Sequence, residues 1–171
     1  MTITEMLPSD AAAAAALERE IFPDAWSEKG IAEELRDDFY RGFIVSAATD
    51  DLSRDDKADR VDPDDVPGDH GTDIIAAGYV LIRTVAGEGE ILRIGVLPGF
   101  RRRGFAGRLL DEVFRRTEKD VEQWFLEVRE YNAAAISLYG SFGFIEIGRR
   151  KAYYRDTGEA AILMRRDVLI T

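Results

Sequence analysis

FLEVREYNAAAISLYGSFGF, residues Phe125–Phe144, is the stretch that decides the fold. Phe125, Leu126 and Val128 form an apolar run of strand length interrupted by one carboxylate, Glu127. A short turn follows. Asn132 then opens a helix over residues 133–142 that carries Tyr139, and Gly143 closes it. Upstream lies a second informative stretch, GVLPGFRRRGFAGRLLDEVF, residues Gly95–Phe114. There a strand ends at Pro98 and a helix opens behind Arg101, Arg102, Arg103, Gly104, Phe105 and Ala106. The later stretch sets an acid–base pair on neighbouring elements. The earlier one prepares a helix N-terminus for a phosphorylated ligand.

Working outward, alanine-rich residues 11–21 predict a helix that Ser9 or Asp10 can cap, and Ser27 predicts the cap of a second helix to about Arg36. Strands are expected over residues 42–48, 74–84, 89–97, 123–129, 144–149 and 160–166. A helix is expected over residues 104–117, with Leu109, Leu110, Val113 and Phe114 on its apolar face. The order β-α-α-β-β-β-α-β-α-β-β is mixed α/β, with parallel pairing wherever a helix crosses between strands. No internal repeat or second domain is evident.

The chain has 171 residues, 46% of them hydrophobic, and no cysteine. Its length suits one globular domain with a sizeable core, and it excludes disulfides, zinc–thiolate sites and a cysteine nucleophile. No metal site is read from it. The start MTITEMLPSD lacks the basic region of a secretory signal, and residues 74–82 are too few for a membrane span, so a soluble cytoplasmic protein is expected. Of the net charge of −10, the segment 50–73 carries −7, with ten Asp against Arg54, Lys57 and Arg60. That segment, which also holds the lone His70, reads as a mobile, disordered hairpin insertion, because so polar a stretch cannot bury enough surface to offset its ordering entropy. Without a broad basic face, nucleic acid is not an expected partner.

Two common phosphate loops fail. Gly99 and Gly104 have P-loop spacing, but Phe105 and Ala106 stand where Lys and Ser or Thr are required. No GxGxxG opens a helix. What remains is a glycine-bearing helix start with three arginines, which is either an anion cradle or a solvated basic turn.

The spacing Arg101-x-x-Gly104-x-Ala106, placed before the Asn132–Tyr139 helix, resembles the GNAT superfamily of N-acetyltransferases. It is most similar to their protein N-terminal branch, the RimI-type ribosomal protein alanine acetyltransferases and NatA-like catalytic subunits. IFPDAWSEK (Ile21–Lys29) and RRKAYYRDTGEAAILMRRD (Arg149–Asp167) extend the resemblance over most of the chain. The acidic segment departs from it, since this branch usually has a short hairpin there. The resemblance implies a single-domain α/β fold, with a mixed sheet of about seven strands, four helices and a splayed cofactor cleft.

The resemblance further implies acetyl-CoA as cosubstrate. Pantetheine would lie against Ile94, Gly95 and Val96, and pyrophosphate on the backbone from Arg102 to Gly107 (Arg102, Arg103, Gly104, Phe105, Ala106, Gly107), with Arg101 and Asn132 also at the cofactor. Glu127 would be the general base and Tyr139 the general acid. Tyr153 and Tyr154 would close over the acceptor, with Trp26 and Glu28 beside it. Other N-terminal acetyltransferases draw the base from the loop between the first two helices, which makes Glu28 the alternative. Each residue also has an ordinary reading: Glu127 as an arginine's partner, Tyr139 and Trp26 as core aromatics, Asn132 as a helix cap. The implied acceptor is a protein or peptide N-terminus, possibly that of a ribosomal protein. Rival readings are a GNAT enzyme for lysine or small amines, a non-catalytic acyl-CoA-binding domain, and a nucleotide enzyme.

Overall fold

The computed structural model describes residues 1–49, 73–117 and 119–168. The acidic insertion, apart from Asp73, lies outside them. The chain runs β1 (Thr2–Glu5), α1 (Ala11–Ile21), α2 (Glu28–Glu34), β2 (Tyr40–Ala48), β3 (Ile74–Val85), β4 (Glu88–Val96), α3 (Phe105–Thr117), β5 (Gln123–Arg129), α4 (Ala133–Ser141), β6 (Ile145–Arg150) and β7 (Ala161–Asp167). The seven strands form one sheet in the order β1-β2-β3-β4-β5-β7-β6. All pairings are antiparallel except β4 with β5, which α3 connects. Among the described residues, no helix is long and apolar enough to cross a membrane.

Local chemistry accounts for most boundaries. Ser27 accepts from the Gly30 amide at 3.1 Å and starts α2. Gly143, at φ +83°, takes the left-handed turn after α4. Asp10 stands at the N-cap of α1 as expected, but its side chain makes no capping bond to the helix. Asp10 instead accepts from the Leu7 amide at 2.7 Å, because Pro8–Asp10 already forms a tight turn running straight into the helix. α2 also ends at Glu34, short of Arg36.

Each face of the sheet has its own core. Along β3, Val80 and Ile82 join Leu109, Leu110 and Val113 of α3 and Tyr139 of α4. Tyr79 and Leu81 point the other way, to Ala14, Ala15 and Leu17 of α1 and Ile31 of α2. This is the two-residue alternation of a strand buried on both sides.

β4 and β5 pair only from Glu88↔Gln123 to Ile91↔Leu126, although β4 continues to Val96 and β5 to Arg129. The cause lies one residue beyond the last pair. The β3–β4 register steps from Ile82↔Ile91 to Leu81↔Arg93, leaving Leu92 as a bulge. A bulge bends its strand, and here it turns β4 away from β5. The result is a V-shaped opening at the carboxyl ends of two parallel strands, where open α/β sheets bind their ligands.

The closed end of the V depends on a missing side chain. A Cβ on Gly89 would stand 2.7 Å from Cε3 of Trp124, a residue 1% exposed. Gly89→Ala is therefore expected to destabilise the fold by about 1–3 kcal/mol, read as a lower urea midpoint at unchanged slope. An unaltered midpoint would show that Trp124 yields freely.

Candidate active site

β4 supplies one lip of the V. The Leu97 amide donates to the Ala77 carbonyl of β3 at 2.8 Å. By strand alternation, the Ile94 and Val96 amides face the opening, which no strand fills. Gly95 serves packing: a Cβ there would meet Phe22 Cε2 at 2.9 Å and Ile21 at 3.0 Å, so its bareness lets the end of α1 rest on β4.

Beyond β4, residues Pro98–Phe100 make a tight turn, and Arg102 (φ +64°) and Gly104 (φ +79°) bend the chain into α3. A non-glycine residue held there, Arg102, costs on the order of 1 kcal/mol. Such left-handed kinks before a helix leave successive amides pointing to a common side, a concavity that suits phosphate oxygens. A Cβ on Gly104 would meet nothing within 4 Å, and one on Gly107 nothing nearer than Phe142 at 3.8 Å, so the cradle is open. Two expected contacts have other work. Arg101 Nε donates to the Val96 carbonyl at 3.0 Å and pins the turn to the end of β4. The Phe105 ring is buried against Phe100, with centroids 5.5 Å apart, leaving only its amide for a ligand. Ala106 and Gly107 lie half-buried in the first turn of α3.

β5 supplies the other lip. Glu127 is the first residue past the last β4–β5 pair. It alternates with Leu126 and Val128, which point into the α3/α4 core, so its side chain projects from the α1/α2 face. Its carboxylate meets Arg150 Nη1 at 2.7 Å, with side chains 25% and 53% exposed respectively. An ion pair this exposed holds its members only weakly. Arg129, two residues along β5, is instead engaged by Asp156 at 2.9 Å and Glu159 at 3.0 Å, and its guanidinium lies 4.0 Å over the Tyr154 ring.

Tyr139 approaches from the opposite face. Its ring is 5% exposed and packs edge-on to Phe144. Burial, and secondarily the neighbouring Tyr154, push its hydroxyl well above the usual tyrosine range. The Tyr154 hydroxyl is also raised, by burial first, against the pull of Arg129, with Glu127, Tyr153 and Asp24 adding to the rise. Tyr154 thus lies within electrostatic range of Glu127, of Tyr139 and of Asp24 in the α1–α2 loop. Tyr153 packs edge-on to it at 5.2 Å. Asn132 caps α4, its side chain accepting from the Ala135 amide at 3.1 Å.

The α1–α2 loop brings in residues that the sequence alone did not single out. Glu28 stands exposed at the start of α2, and the loop carboxylate that acts on Tyr154 is Asp24. Behind it, Glu18 is fully buried and accepts from the Tyr79 hydroxyl, Arg93 Nε at 3.1 Å, Arg93 Nη2 at 3.2 Å and the Trp26 amide at 2.9 Å. One signal was available: Glu18 completes the stripe Ala11, Ala14, Ala15, a core position where an acid has to be paired.

The acetyltransferase (GNAT) family pattern matches residues 12–144, most of the chain. The chain belongs to that family. Among its curated relatives, the N-alpha-acetyltransferase RimI of Mycobacterium tuberculosis is 45% identical over 85 residues, covering 50% of this chain and 52% of that protein. The ribosomal protein bS18-alanine N-acetyltransferase of Escherichia coli is 40% identical over 91 residues, covering 52% and 62%. The aligned regions thus take in little more than half of those relatives' own lengths. The crystal structure of the Escherichia coli ribosomal-protein-S18-alanine N-acetyltransferase superposes with a TM-score of 0.76 at 29% identity, over 99% of this chain and 95% of that one. The GNAT fold expected from the sequence is therefore present, V-shaped opening included.

The buried Tyr139 has a measurable consequence. Unfolding exposes its hydroxyl, which then ionises near the ordinary value of 10, while the folded state retains the proton to higher pH. Its contribution to stability is full below about pH 10 and is lost as pH rises towards the folded value. Tyr139→Phe is expected to flatten the alkaline decline of the melting temperature, and ultraviolet titration of the folded protein should show one fewer late-ionising tyrosine. An identical alkaline profile in the variant would contradict this.

Proposed function

We propose that this chain transfers the acetyl group of acetyl-CoA to the N-terminal α-amine of a protein or peptide, by direct attack within a ternary complex. The observation that carries this reading is the placement of Glu127 at the first unpaired rung of the V, with Tyr139, whose buried hydroxyl keeps its proton, on the opposite face and Tyr154 within electrostatic range of both. The cradle at Arg102–Gly107 and the free amides of Ile94 and Val96 fit a pyrophosphate and a pantetheine arm. Bound acetyl-CoA supplies the activated thioester carbonyl.

The chain's own groups then divide the work. Glu127, once parted from Arg150, takes the proton of the α-amine directly or through a water, and Tyr139 protonates the departing thiolate. The Val96 amide would stabilise the negative charge that develops on the carbonyl oxygen. Tyr153, Tyr154 and Trp26 line the acceptor side. The α-amine is the suitable nucleophile: with a pKa near 8, roughly 10% is neutral at pH 7, against about 0.04% for a lysine near 10.4. A ribosomal protein N-terminus is the first acceptor to try, because relatives at 40–45% identity carry RimI and bS18-alanine acetyltransferase names.

A peptide with a free N-terminus and an internal Lys is expected to be acetylated at the α-amine alone, as read by fragmentation mass spectrometry. Transfer mainly to the Lys, with a blocked N-terminus tolerated, would defeat the N-terminal reading. Glu127→Gln should slow the reaction most near neutral pH and less at alkaline pH, where the amine needs the base less. Undiminished turnover at neutral pH would move the base elsewhere, with Glu28 the first alternative.

For the cradle, Gly104→Val should weaken acetyl-CoA binding on the order of tenfold or more, because a β-branched residue resists φ > 0. Arg102→Ala should cost less, since the backbone and not that charge is proposed to hold the phosphates. Equal losses by calorimetry would reverse that assignment.

A further inference from the structure

Arg93 is the residue through which β4 grips the α1–α2 loop. It follows the Leu92 bulge on the unpaired part of the strand, and its guanidinium makes contact on several sides. Nε and Nη2 form a fork to buried Glu18. Nη2 also donates to the Asp24 carbonyl at 2.8 Å, and Nη1 to the Asp24 carboxylate at 3.3 Å. The cation lies 4.2 Å from the Phe22 ring centroid and 5.3 Å from that of Trp26.

The bulge makes this possible. In a regular strand Ile91 and Arg93 would share a face. Here Ile91 points into the α3/α4 core, whereas Arg93, opposite Leu81, points to α1. The one irregularity that opens the V therefore also turns Arg93 towards the loop, on the sheet face from which Glu127 projects.

We propose that Arg93, anchored by Glu18, is a positioning residue for the acceptor: it fixes Phe22, Asp24 and Trp26 as the wall of the V that faces Glu127 and Tyr154. This rests on the N-terminal acetyltransferase reading and adds to it the group that shapes the acceptor side. Arg93 does not face the phosphate cradle. All of its partners lie in α1 or in the loop after it, so its loss moves one wall and leaves the cofactor's side in place. A planar fork is required, because one ammonium cannot span Glu18, the Asp24 backbone and the Asp24 carboxylate while stacking on two rings.

Arg93→Lys is the informative variant, since it keeps a cation beside buried Glu18 and so protects folding. The KM for a peptide with a free N-terminus should rise about tenfold, while kcat stays within about threefold and the acetyl-CoA Kd by calorimetry within about twofold. Asp24→Asn removes one strand of the same tether at an exposed position, where folding is not at stake. It should raise the peptide KM in the same direction by a smaller factor.

A peptide KM within about twofold of wild type in both variants, with only the melting temperature lowered, would reduce Arg93 to a structural residue and overturn the proposal. A parallel rise in acetyl-CoA Kd would overturn it as well. The wild-type protein, assayed on free and blocked peptides, tests the parent reading separately. If it used lysine alone, the N-terminal assignment would fall, and the positioning role would be judged on the KM for that lysine.

Discussion

The separation of β4 from β5 is the constraint on which the rest of this molecule depends. Two parallel strands joined through a helix would ordinarily zip along their full length. Here the ladder stops at Ile91↔Leu126, one step before the Leu92 bulge. Beyond it, β4 and β5 each keep their outer partners, β3 and β7, so neither is left as a frayed end. The opening is rigid because both lips are hydrogen-bonded from behind. It also leaves no strand between the two faces there: Glu127 belongs to one and Tyr139 to the other, and in a closed sheet the backbone would lie between them.

Glu18 shows how a buried charge can organise surroundings without reacting. A carboxylate at 0% exposure is costly to desolvate, and the structure offsets this with a fork from Arg93, a tyrosine hydroxyl and a backbone amide. Three of its four donors come from distant strands, so it ties α1 to β3 and β4 at one point. Removing any one donor leaves the buried carboxylate short of its complement, so the bonds that support the loop depend on one another.

Much of this was legible in the residues. Apolar runs and glycines located β2 to β7 to within a residue or two, though β1 was given no range, and Ser27, Asn132 and Gly143 bound their helices as read. The kinked entry to α3 was visible because its geometry is local: Gly104 and Ala106 lie within one turn. What escaped is what depends on pairing across the sheet. The Leu92 bulge exists only relative to β3, and nothing in EILRIGV marks it. The partner of Glu127 proved to be Arg150, 23 residues on, and not its near neighbour Arg129, which Asp156 and Glu159 occupy. Likewise it is Asp24 of the α1–α2 loop whose charge reaches Tyr154, and Asp24 is held by Arg93, 69 positions away. Asp10 holds the N-cap position of α1 without capping it, because the turn at Pro8 directs its carboxylate to the Leu7 amide.

The pairing of Glu127 with Arg150 has a consequence for the medium in which the protein works. At a distance of 2.7 Å but with half of Arg150 open to water, the attraction is of the kind that dissolved ions compete for. Dissolved salt therefore sets how often this carboxylate is released from its guanidinium, with no movement of the backbone required. The Tyr139 proton is kept by burial instead, and is indifferent to added electrolyte. Of the two groups proposed as base and acid, Glu127 thus answers to ionic strength and Tyr139 does not.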